Sequence, residues 1–426
     1  MNNITDTAEG KYSWDLKVMY SDTAEWEKDF DRIDSLLELF CTFKGKLNEG
    51  ADILLNAFKA SDELFALLEK VYTYSHLLSD LDIGNSANLA LYNRACAKYA
   101  EISGATAWFE PEILDLPEDI IDSYINNPVL DFYRRSLLEI LRDKPYTLSA
   151  SEEKILGLAS DALATPSKVF SALNNVDIVF PEVPDGKGGK VRLTHSLFTK
   201  LLENNDRTVR KSAFDAMYDT FSMYKNTLAS TLEGCVKTHV LNAGIRKFPS
   251  ALQASLHNDN VSQDVYDNLI ASVRKNLPEF EKYIHLRSEM LNIEDLNMYD
   301  LHCPIVPEKE VDIPWDEACS MVADAVGILG DEYLEITHKA FSSGWIDVFE
   351  RPGKRSGAYS SGCYDSPPYI LMNYNGTLND VFTLAHELGH SMHSFYSNKH
   401  QEYHYASYRI FVAEVASITN ELILHD

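Results

Sequence analysis

The sequence predicts a mainly α, multi-helical protein in two lobes, with a small β-sheet set beside one long, half-apolar helix. Three features of the chain predict this. Apolar residues recur at three- and four-residue spacing through most of residues 14–175 and 196–291, the period of an α-helix. The pattern turns to short extended runs near residues 177–193 and 345–372, each bounded by Gly or Pro. Finally, the run from Val381 to Met392 is apolar along one side while carrying His386, Glu387 and His390.

Taken in order, Asp22 and Glu25 start a helix that carries Phe30, Ile33, Leu36, Leu37 and Phe40. A second helix is expected over Asp62–Asp80, then others over Ser86–Thr106, Glu118–Ile125, Val129–Arg142 and Ala150–Leu163. Tyr72, Tyr74, Tyr92, Tyr99 and Trp108 fall among them as packing aromatics. Asp177–Phe180 and Lys190–Leu193 read as hairpin arms about a Gly-rich tip; no Gly-Lys-Ser/Thr ending makes that tip a phosphate loop. A boundary is placed at 200, dividing a helical lobe that ends in the hairpin (1–200) from a second domain (201–426). That domain is expected to hold long helices over Asp206–Asn242, Ser262–Leu291 and Trp315–Phe341, with short extended pieces at 298–306. Three strands, near 345–349, 357–360 and 369–372, lead into a helix started by the capping sequence Thr377-Leu378-Asn379-Asp380, and a last helix covers Tyr405–His425.

Composition narrows the function. An apolar content of 45% and a charged content of 24% are those of a soluble globular protein. The balance of 38 basic against 65 acidic residues, a net charge of −27, disfavours nucleic acid and anionic membrane as partners. Met1–Gly10 lacks the basic and apolar regions of a signal peptide, and no run is apolar enough to span a bilayer. The six cysteines have no metal-site or framework spacing. Together these features place the chain in the cytoplasm; they leave its oligomeric state open.

The chemistry concentrates in His386-Glu387-Leu388-Gly389-His390. Four residues apart on a helix, the two imidazoles stack on one face and can reach one metal ion, while Glu387 is rotated about 100° away, placed as a base. Two nitrogen ligands with a nearby carboxylate base are the donor set of a zinc hydrolase. A third ligand must come from another segment. His393 and Tyr396 stand where the metzincin pattern has Gly and His, so that pattern is excluded. Glu414, Ser417 and Glu421 share one face of the last helix, and Glu414 lies among apolar neighbours where a carboxylate needs a partner. Gly357 and Ala358 are small enough for a peptide backbone to approach, which suggests residues 357–360, Tyr359 included, as a strand edge that receives an extended substrate.

His386–His393, with Phe411-Val-Ala-Glu-Val-Ala-Ser-Ile-Thr-Asn-Glu421, resembles the oligoendopeptidase F family of thimet-oligopeptidase-like zinc metallopeptidases. Gly353–Ser360, Tyr369–Tyr374, Asp206–Arg210 and Arg246–Leu252 extend the similarity. The resemblance implies a two-lobed zincin-type fold whose catalytic domain is 201–426, and one Zn²⁺ held by His386, His390 and Glu414. It further implies Glu387 as general base, Ser417 and Glu421 orienting the ligands, and internal cleavage of short peptides. Members of the family continue past the segment equivalent to Glu414, so the resemblance also implies a chain truncated at its C-terminal side. The competing reading is an impaired homologue that binds peptides without turning them over.

Overall fold

The computed structural model describes residues 12–305 and 312–426. It is mostly helical with two small sheets. Three of the early helices begin where the sequence supplies a cap. Asp22 accepts the Glu25 amide ahead of Thr23–Cys41, Asn85 accepts the Ala87 and Asn88 amides ahead of Ser86–Thr106, and Ser149 with Glu152 forms a reciprocal box ahead of Ala150–Leu163. The helix expected from Asp62 starts earlier and spans Ala51–Leu81, burying Leu54, Leu64, Leu68, Val71 and Leu77.

Several long runs are broken in the structure. Val129–Arg142 divides into a 3₁₀ segment, Pro128–Tyr133, and a helix, Arg134–Asp143; Asn127 caps the first by accepting the Val129 amide. Asp206–Asn242 breaks at Tyr224, between Arg207–Met223 and Lys225–Ile245. Trp315–Phe341 becomes Trp315–Val326 and Asp331–Ser342, separated at Gly330, whose φ of 107° suits glycine alone. Its helical period persists across the break because Val322, Val326, Ile336 and Ala340 all face one core. Met298–Asp300 is a 3₁₀ turn rather than an extended piece, and Val306 lies outside the described residues.

The hairpin also shifts. Ile178 and Phe180 alternate into the core as their spacing suggests, but the ladder is formed by β1, Glu182–Pro184, against β2, Lys190–Arg192, with Val183 opposite Val191. A cluster of buried residues from Leu173 to Met217 surrounds it and runs across residue 200.

The second sheet positions everything that follows. Its strands are β3 (Ile346–Asp347), β4 (Tyr359–Ser361) and β5 (Tyr369–Leu371), in the order β3-β5-β4. Alternate side chains of β5 point to opposite faces. Tyr369 and Leu371 join the core built from the N-terminal helices, while Ile370 joins Val381, Leu384, Ala385, Leu388 and Met392 on the other side. The strand is thus buried on both faces. Residues 12–15 are tied to the same sheet: Trp14 Nε1 donates to Ile370 O (2.7 Å), and Val348 N donates to Tyr12 O (2.9 Å). Among the described residues no helix is long and apolar enough to cross a membrane.

Candidate metal centre

The His-Glu helix spans Leu378–His400 and begins as its capping sequence predicts. Thr377 Oγ1 accepts the Asp380 amide (3.1 Å), and Asp380 Oδ2 accepts the amides of Thr377 and Asn375 (3.0 Å each). Its apolar face is fully buried, which fixes its rotation and turns His386 and His390 outward from that core. The last helix, Ile410–His425, lies against it; the stretch before it, expected to be helical from Tyr405, holds only a short turn at Tyr403–Ala406.

Glycine at 389 allows the two helices to meet. A Cβ there would stand 2.6 Å from Ser417 Cα and 2.8 Å from Ala416 O, so only a hydrogen lets the second backbone come this close. Asn420 fixes the register of the pair: its Nδ2 donates to Ala385 O (3.1 Å), and its Oδ1 accepts the Tyr333 hydroxyl (3.0 Å). Tyr333 did not stand out in the sequence, and Asn420 entered only as one residue of the run 411–421 with no role of its own, because an Asn and a Tyr on separate helices carry no shared motif.

This packing brings three ligand atoms together. His386 Nε2 and His390 Nε2 are 3.2 Å apart, and each is 3.4 Å from Glu414 Oε2. A tetrahedral ion with bonds of about 2.0–2.1 Å holds its ligands about 3.3 Å apart. The surroundings also fit a cation. His386 Nδ1 lies 2.6 Å from Glu421 Oε1, so in the neutral ring Nδ1–H donates there and Nε2 presents its lone pair. Ser417 Oγ, fully buried, donates to Glu414 Oε2 (2.9 Å). Burial holds the His390 imidazole below its ordinary pKa, which favours the neutral, ligating form. Two nitrogen lone pairs and a carboxylate oxygen therefore converge. Among the described residues these three side chains form the one such metal-competent group.

Glu387 points elsewhere. It is 7% exposed, and burial pushes its carboxyl up to about 7; His386 pulls it down, while Glu414 and Glu421 push it up. The backbone of Ser360 lies close enough to pull it down a little, and Ser360 Oγ meets Ser391 Oγ, on the same helix, at 2.8 Å. Strand β4 therefore lies directly beside this carboxylate. Ile370 and Met372 give their amides to Trp345 O and Asp347 O, so β5 turns its other amides toward β4 through Tyr359 and Ser361. Ala358 and Ser360 consequently face away from the sheet. Gly357 precedes them with φ 83° and open space around its Cβ position.

The edge is braced from the N-terminal side. Asp80, on Ala51–Leu81, accepts the Tyr359 hydroxyl (2.8 Å) and Arg355 Nη1 (3.2 Å), while Asn175 Oδ1 accepts the Ser356 amide (3.1 Å). His393 contributes no ligand. Its ring stacks on Tyr408 at 3.7 Å, and its buried Nδ1 has no hydrogen-bond partner among the described residues.

Residues 200–426 match the family model for peptidase family M3, and residues 112–180 match that for oligopeptidase F. Oligopeptidase PepF of Bacillus subtilis is 41% identical over 426 residues, a match that takes in 99% of this chain and 64% of that protein. Group B oligopeptidase PepB of Streptococcus agalactiae is 37% identical over 425 residues, with 100% of this chain and 70% of PepB covered. The crystal structure of oligoendopeptidase-F from Enterococcus faecium superposes with a TM-score of 0.71 at 34% identity, over 94% of this chain and 66% of that one. This chain thus spans about two thirds of the length of these relatives, and it belongs to peptidase family M3, among the oligoendopeptidase F proteins.

Proposed function

We propose that the chain is a zinc-dependent endopeptidase that cleaves internal bonds of short peptides in the cytoplasm, with residues 201–426 as its catalytic domain and 1–200 as a lobe beside it. One observation carries the reading: the triangle of His386 Nε2, His390 Nε2 and Glu414 Oε2, with sides of 3.2–3.4 Å, matches the ligand spacing of one tetrahedral ion. These three residues would hold one Zn²⁺ per chain. When bound, the metal would supply Lewis-acid polarisation and a more acidic water.

The chain's own groups do the rest. Glu421 holds His386 in the tautomer that ligates, and Ser417 orients the Glu414 carboxylate. Glu387 takes the proton of the attacking water and delivers it to the leaving amine, work suited to a carboxyl poised near neutrality. The outward groups of Ala358 and Ser360 receive the peptide as an added strand, with Gly357 leaving open space beside them and Tyr359 anchored to Asp80 behind them. A peptide held there would bring its scissile bond near Glu387, because Ser360 of this edge meets Ser391 of the His-Glu helix at 2.8 Å.

Zinc per chain and hydrolysis of an internally quenched oligopeptide test the proposal together. One zinc with turnover that disappears in Glu387→Gln is the expected result; a chain that neither binds zinc nor cleaves would end it. A second reading, peptide binding with impaired turnover, is favoured by the open flank of the last helix, where Phe411, Val415 and Leu422 are 62–67% exposed. Bound zinc and captured peptide without cleavage would select it.

A further inference from the structure

A cavity of about 780 Å³ begins where β4 ends and where the His-Glu helix passes. Its wall includes Gly362, the residue after β4, and Ser394, one turn beyond His390. Tyr408 completes that side. Its hydroxyl lies 2.7 Å from Ser394 Oγ and 3.5 Å from His390 O. A peptide laid along β4 would run directly into this space.

The facing wall comes from the helices Ala51–Leu81 and Ser86–Thr106 and is largely aromatic, with Phe65, Tyr72 and Tyr99. Two carboxylates stand among these rings. Asp62 is already satisfied, accepting Tyr133 Oη (2.8 Å) and lying 2.8 Å from His404 Nδ1. Glu69 is different. The Tyr403 hydroxyl lies beside it, Asp365 adds a second negative charge nearby, and among the described residues neither Lys nor Arg lines the cavity. Burial pushes the Glu69 carboxyl above its usual range and Asp365 pushes it the same way. An incoming cation would offset both.

We propose that this cavity is a substrate subsite for a cationic group of the peptide, an Arg or Lys side chain or a free amino terminus, with Glu69 as its counter-charge. The aromatic walls suit the same group, since a guanidinium or ammonium packs favourably on ring faces and its aliphatic stem on their edges. The inference rests on the peptidase reading, whose site it extends.

Quenched peptides in which Arg and its neutral isostere citrulline are exchanged at each position test it. The expected result is one position where Arg is favoured about tenfold in kcat/KM, a discrimination typical of a charge-assisted contact. That ratio should fall to about twofold or less in Glu69→Gln and invert toward Glu-containing peptides in Glu69→Lys. Acetylating the amino terminus separates the two sources: a drop in kcat/KM on acetylation with no Arg position preferred assigns the subsite to the terminus, and an Arg preference that survives acetylation assigns it to a side chain. Should Glu69→Gln fail to fold, the difference in binding between Arg and citrulline peptides, or between free and acetylated ones, must still be present on the unsubstituted chain. No discriminating position together with no effect of acetylation, or a preference unchanged in Glu69→Gln, would overturn the subsite. Failure of every peptide to be cut, with no zinc bound, would instead overturn the peptidase reading. Anisotropy of labelled Arg and citrulline peptides on the same chain then decides the subsite alone.

Discussion

Gly389 and Ser417 are in backbone contact: a methyl group on the first would sit 2.6 Å from the Cα of the second. The contact joins the helix that carries two candidate ligands to the helix that carries the third. Gly389→Ala should favour helix formation by about 1 kcal/mol, the usual glycine penalty, yet overpacking against rigid backbone costs about 1–3 kcal/mol. The expected net result is a lower melting temperature and, more tellingly, a loss of zinc affinity as Glu414 is pushed away. Full zinc occupancy in this variant would show that the close approach is unnecessary.

Glu387→Gln and His390→Ala should fail in different ways. The first keeps all three ligand atoms and should retain zinc while losing turnover by roughly 10²–10⁴-fold, the range for a removed general base. The second removes a ligand and should lose the metal. Zinc analysis beside single-turnover kinetics tells them apart, and equal metal loss in both would contradict the roles assigned.

Glu421→Ala leaves His386 Nδ1 without the carboxylate that lies 2.6 Å away. Groups in this orienting position are worth roughly 10–100-fold in metal affinity. Competition with a chelator should show a loss of that size. An unchanged affinity would mean the tautomer is held by something else.

The metal-free chain should carry a pH signature of Glu387. Burial raises its carboxyl from an ordinary 4.5 to about 7, so between those values the folded state holds a proton that the unfolded state has released. Stability then falls as pH rises through that window, by up to about 3 kcal/mol for this group. Urea midpoints measured with chelator present should decline from pH 5 to 7, and Glu387→Gln should flatten the slope. A parallel decline in the variant would trace the effect to other groups.

Ala358→Pro removes an outward amide at the proposed substrate edge without touching a ligand. KM should rise severalfold with zinc content intact. A substrate that binds the variant normally is not held by this edge.

How much of this was legible beforehand varies with the range of the interaction. The capping box at Thr377 and the one-faced run from Val381 to Met392 are local, and the helix starts where they place it. The ends of other helices were less visible. At Gly330 the apolar period continues through the break, because the flanking pieces bury their faces in a common core, so periodicity alone reads them as continuous. Tyr72 packs against the core as its spacing reads, yet it and Tyr99 also line a cavity, which the spacing does not show.

The order of residues determined by itself that a helix would present His386 and His390 on one face with Glu387 turned aside, since helical geometry needs only a few neighbours to fix it. It also supplied Glu414, Ser417 and Glu421 on a second face. Only the tertiary structure decided that these faces meet at 3.2–3.4 Å, through a missing side chain at Gly389 and an Asn420–Ala385 bond that no motif encodes. It likewise decided that β4 would lie against Glu387. Contacts between distant segments depend on the volume each side chain leaves for the other, and that is settled when the chain packs.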